Sequence, residues 1–152
     1  MQIDSVVEAG LNRPKPQYDQ VTLPPDITAL SSEQLAEMFT VLTGWADYMA
    51  SQLVQAQLAE RSAQRRLDFA TNKLVVTRMG AATKGDKITL IKAQIAIEPE
   101  VVELEDEYEE KYAYRKMLEM MLNNQERDIT LVSREITRRT SDQRAMRKDY
   151  IN

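Results

Sequence analysis

The chain has 152 residues and a formal net charge of -4, with 43% hydrophobic and 29% charged residues, the balance of a single folded domain. It contains no cysteine and no histidine, which excludes disulfides and thiol chemistry and removes the commonest general base and metal ligand. It has no apolar run of the roughly 18 residues that span a bilayer, and its opening MQIDSVVEAG lacks the basic and apolar regions of a secretory signal; the expectation is a reducing, cytoplasmic setting with no membrane.

Residues 1–30 hold four of the five prolines (Pro14, Pro16, Pro24 and Pro25), so they are predicted as an extended proline-rich arm. Val21, Leu23 and Ile27 give the arm apolar anchors for a helix surface. Ser31 followed by Gln34 is a capping box, and it opens a helix predicted over 31–78. Leu35, Phe39, Leu42, Ala46, Met49, Leu53, Ala56, Glu60, Ala63, Leu67, Ala70 and Leu74 are spaced alternately by four and three, with Glu60 the one polar member. Such a repeat, held over roughly five heptads, keeps one stripe against a partner helix. Gly44 interrupts it at a cost of about 1 kcal/mol.

The segment MGAATKGDK (79–87) is predicted as a turn. Gly80 and Gly85 are expected in the left-handed conformation that stops a helix, and Asp86 as the next cap. ITLIKAQIAI then starts a second helix predicted over 88–148, a short strand being the alternative for its first residues. Glu98-Pro99 marks a break near 98–99. Beyond it Val101, Leu104, Tyr108, Leu118, Leu122, Ile129, Val132 and Ile136 repeat the 4-3 spacing, interrupted by Lys111, Arg115 and Gln125.

Two long helices joined by a short turn must run antiparallel. The expected fold is all-α: a long, coiled-coil-like antiparallel helical hairpin over 31–152 behind the arm. Two apolar stripes exceed what the hairpin needs: Met38, Val41, Trp45 and Tyr48 on the first helix, and Tyr114, Met117, Met121 and Leu131 on the second. Surplus stripes predict a homo-oligomer; the alternative is that the arm covers them.

Charge is segregated. Residues 61–92 carry eight bases against two acids, whereas residues 98–110 carry eight acids and no base. Arg65, Arg66, Lys73, Arg78, Lys84, Lys87 and Lys92 lie about the predicted turn and are candidates for a phosphate backbone. Single-stranded nucleic acid suits them better than duplex, because no helix offers a groove-reading face beside a turn motif. Phe69 is the aromatic placed to stack a base. The alternative is that the acidic run neutralises these cations on the returning helix, with residues 61–66 opposite 98–103 and Glu60 meeting Lys111 or Arg115 if the register slips. Catalysis has no support: Glu103, Glu105, Asp106 and Glu107 point in different directions on a helix, Ser133 has no base partner, and GAATKGDK does not match the phosphate-loop pattern. No enzyme activity, cofactor or metal is expected.

Several of these segments together resemble the UvsY family of phage recombination mediators. The likeness covers roughly 31–140. It rests on Trp45 early in the first helix, the string Arg66-Leu67-Asp68-Phe69, the lysine-bearing turn GAATKGDK and the basic SREITRR on the returning helix. It implies rings of helical protomers that bind single-stranded DNA, contact the recombinase and the single-strand-binding protein, and help the recombinase load in the infected bacterial cell. Arg65, Arg66, Lys73, Arg78, Lys84 and Lys87 would correspond to the DNA-binding region. The competing expectation is a phage structural or assembly protein, a virion component or scaffold, whose arm straps a neighbouring subunit.

Overall fold

A computed structural model describes residues 12–83, 85 and 87–149; Lys84, Asp86 and the first eleven residues of the expected arm lie outside them. A short 3-10 turn, Ile27–Ala29, precedes helix α1 (Ser32–Ala81), helix α2 (Ile88–Ala96) and helix α3 (Pro99–Asp149). The fold is all-helical, with no strand among the described residues. The chain forms two compact units. One, here the turn unit, is Leu53–Met117. The other, the arm unit, joins residues up to Gln52 with those from Leu118 onward.

In the arm unit the capping box forms. Gln34 N donates to Ser31 Oγ at 3.1 Å, and Ser31 N donates to Gln34 Oε1 at 2.9 Å. This satisfies two of the backbone donors that a helix start leaves unpaired, and α1 therefore begins at Ser32. Leu35, Leu42 and Val132 are fully buried, and Val21, Leu23, Leu30, Met38, Phe39, Ile129 and Ile136 pack against them. Each such side chain contributes about 1.5–3 kcal/mol on leaving water. Gln125, which breaks the apolar series of α3, donates Nε2–H to the Leu42 carbonyl at 3.1 Å. Arg139 donates to Ser32 Oγ at 3.3 Å and to the Thr28 carbonyl at 3.0 Å. These contacts set the two helical segments of this unit antiparallel and tie the base of the arm to α3.

Glu135, 6% exposed, accepts from Arg138 at 2.8 and 2.9 Å and from Arg139 at 2.8 Å. The hydrogen bonds from Arg138 first, and then from Arg139, lower its carboxyl from 4.5 to about 2.

The surplus stripe of α1 is covered within the chain. Trp45 is 8% exposed, Met38, Val41 and Tyr48 are half-buried, and the Trp45 indole donates to the Tyr18 carbonyl at 3.1 Å. The arm is therefore a packed element here, and the alternative of a covering arm describes this stripe.

The turn unit is built differently. Ala56, Ala63 and Ala70 are the buried residues of α1, so backbones approach closely where larger side chains would hold them apart. Glu60, the lone polar member of the α1 series, meets Arg115, a polar break in the α3 series, in a two-pronged pair at 2.7 and 3.1 Å. Arg66 pairs with Glu107 at 2.6 Å, and Arg78 pairs with Glu98. The segments again run antiparallel, but Arg66 faces Glu107 instead of the expected residues near 98. The reason is α2. Ile91 and Ile95 of this helix are buried with Val101 against Leu67, Leu74 and Val75, so residues 88–96 form an element of their own before α3 returns.

Helix, not strand, is the state of 88–96, and Pro99 occupies the first helical position of α3, where its missing N–H costs nothing. Gly85 has φ +123, whereas Gly80 remains inside α1, so only one of the two glycines expected to be left-handed is so.

Candidate nucleic-acid interface

The turn unit holds eleven basic and eleven acidic residues between 53 and 117, yet they are sorted by element. The acids crowd the start of α3, and the bases lie on α1, the turn and α2. Of the seven predicted cations, Arg66 and Arg78 are committed to Glu107 and Glu98. Lys84 lies outside the described residues. Arg65, Lys73, Lys87 and Lys92 are exposed, with no ion pair among the described residues. The expectation of neutralisation thus describes two cations and leaves four available. Arg66–Glu107 is a surface pair, 54% and 33% exposed, and contributes roughly 0.2–1 kcal/mol.

Phe69 is the most informative side chain. It is 72% exposed, although a phenylalanine gains by burial. Arg65 and Lys73 stand one helical turn before and after it, and i±4 spacing places all three on one face. Arg65, Arg66, Phe69, Lys73 and the carboxylate of Glu100 are among the residues that line an open depression of about 410 Å³. Val76, also 72% exposed, lies two turns beyond Phe69 along the same helix. Proteins that bind single-stranded nucleic acid combine exposed aromatic rings, on which bases stack, with cations that follow the phosphates.

A second groove, about 660 Å³, lies on the other flank of α1. Leu67, Val75, Ile95 and Val101 form its apolar part, and Asp68, Asn72, Lys92 and Glu105 its polar part. Lys92 thus stands apart from the Phe69 face. Lys87 occupies the N-cap position of α2 and supplies no side-chain cap.

The predicted self-association residues of α3 differ from those of α1. Tyr114, Met117 and Met121 are 48%, 59% and 46% exposed, and Met120, which the apolar spacing did not single out, is 67% exposed. Among the described residues no group of three or more acidic side chains is placed to hold a metal ion, and no helix is long and apolar enough to cross a membrane. No protein-family profile, curated protein or solved structure matches the chain.

Proposed function

We propose that this protein is a non-enzymatic single-stranded DNA-binding protein of the recombination-mediator type, and that the Arg65–Phe69–Lys73 face of α1 is its primary DNA contact. The observation that carries this reading is the exposed Phe69 ring between two cations without ion pairs. Lys87 and Lys92 extend the positive surface around the end of the turn unit. Arg66 and Arg78 serve the fold first, through their carboxylate partners.

The finer fold follows the same reading: α1 and α3 form a coiled-coil-like hairpin that self-associates through Tyr114, Met117 and Met121, which remain open to solvent. Several copies displayed together would multiply a weak site. Loading of a phage recombinase beside a single-strand-binding protein is the role that the likeness to UvsY-type mediators adds. The second reading, a phage structural or assembly protein, draws on the exposed methionines of α3, an apolar surface of the kind that marks association.

Titration of a fluorescent single-stranded oligonucleotide with the whole chain separates the two. Phe69→Ala weakens binding by about 1–3 kcal/mol, tenfold or more, while leaving the salt dependence unchanged. Absence of any affinity at low salt, with the chain recovered in purified particles, rejects DNA binding in favour of assembly.

A further inference from the structure

Gly44 lies in the middle of α1, where glycine is the poorest helix former after proline. Its surroundings give the reason for it. A Cβ at residue 44 would collide with the Tyr18 hydroxyl and stand 3.1 Å from Tyr18 Cζ. The missing side chain is a notch in the helix surface that receives the end of the tyrosine ring. Beside it the Trp45 indole N–H reaches the Tyr18 carbonyl at 3.1 Å. The Lys15 ammonium lies 5.9 Å from the centre of the indole ring, and Tyr48 meets Trp45 edge to face, also at 5.9 Å. Residues 15–20 and the two rings line an open depression of about 670 Å³.

The segment that fills this seat is chemically suited to it. Pro14 and Pro16 fix their own backbone and carry no N–H to leave unpaired. Residues 13–16 have no regular secondary structure, and all but the half-buried Pro16 are exposed. A chain already restricted by proline loses little freedom on docking. An aromatic shelf with an indole N–H aimed at a ligand carbonyl is a general way to hold extended proline-rich peptide. Here the notch receives the tyrosine, and the lysine ammonium stands over the indole face.

We propose that the Gly44–Trp45–Tyr48 surface is a peptide-binding groove for extended, proline-flanked segments of the pattern Lys-Pro-Gln-Tyr. Residues 15–18 occupy it in cis, and it accepts the same segment supplied from outside. The inference is independent of DNA binding, because its residues all belong to the arm unit.

The probe is a fluorescein-labelled peptide with the sequence of residues 12–22, and the sole tryptophan, Trp45, reports the seat. In full-length Tyr18→Ala, Trp45 emission moves to longer wavelength as the cis segment leaves, and added peptide moves it back. Peptide anisotropy shows about tenfold tighter binding to Tyr18→Ala than to the wild type, whose own arm competes, and about tenfold weaker binding once Gly44→Ala is added. Far-UV circular dichroism shows helix content held or raised by Gly44→Ala. A peptide in which tyrosine is replaced by alanine, tested on the Tyr18→Ala chain, gives a second readout with the protein unchanged, and it binds about tenfold more weakly. Equal binding of the two peptides overturns the proposal, as does unchanged emission in Tyr18→Ala.

Discussion

In the arm unit α1 meets α3 through Leu35, Leu42 and Val132, all fully buried, and proline-bearing chain closes over the side. In the turn unit the buried residues of α1 are alanines, and two ion pairs join α1 to α3 while a third joins α1 to Glu98, just before α3. The first arrangement removes much apolar surface from water. The second is thin along α1, where alanines bring the backbones together; its large buried side chains, Ile91, Ile95 and Val101, come from α2 and the start of α3, and Phe69 and Val76 are left outside. Large buried side chains thus hold α1 to α3 in the arm unit, whereas the exposed Phe69 and its flanking cations lie in the turn unit.

Truncation of the arm-unit core gives the largest expected effect. Leu42→Ala removes a fully buried side chain and destabilises the chain by about 2–5 kcal/mol, read from urea unfolding by circular dichroism. Ala63→Gly in the turn unit, also fully buried, costs closer to 1 kcal/mol, mainly through helix propensity. Equal losses at the two sites would remove the contrast.

The Glu60–Arg115 pair comes next. Its side chains are only 15% and 17% exposed, so Glu60→Ala leaves a half-buried guanidinium short of its partner and costs about 2 kcal/mol. Replacing both residues by leucine returns most of that loss, because an apolar pair avoids desolvating charge. A double variant as unstable as the single one would mean that the pair holds the register through more than its charges.

The acid response belongs to the arm unit. Glu135 is lowered to about 2 in the folded chain, below its ordinary 4.5, so its contribution is complete above the ordinary value and disappears as pH falls towards 2. The melting-temperature gap between the wild type and Glu135→Gln should narrow across that window. A constant gap would place the role of Glu135 in packing.

The smallest effect is expected at the helix start. Ser31→Ala opens the capping box and costs about 1 kcal/mol, measured by thermal unfolding.

Much of this contrast is legible in the residues. The capping box at Ser31 and Gln34, the 4-3 series of both long helices and the break at Pro99 are local signals, and local signals survive into the fold. The alanines at 56, 63 and 70 mark the thin seam, and the polar breaks at Glu60 and Arg115 carry the register between helices. What the sequence left open is non-local. Counting back from a turn near 82 places Arg66 opposite residue 98, because nothing in ITLIKAQIAI says that it packs as a separate helix. Gly44 reads as a weak point in α1 until Tyr18, 26 positions earlier, is found in its notch. The same holds for the cations: only the fold divides Arg66 and Arg78, paired, from Arg65 and Lys73, which flank an exposed ring.

The most direct test of the binding surface is the salt dependence of single-strand affinity in the wild type and in Arg65→Ala/Lys73→Ala. Each phosphate contact contributes about 0.7 to the log–log slope, so losing two should flatten it by about 1.4. If the slope and affinity of the double variant match the wild type, the Phe69 face is not where DNA binds.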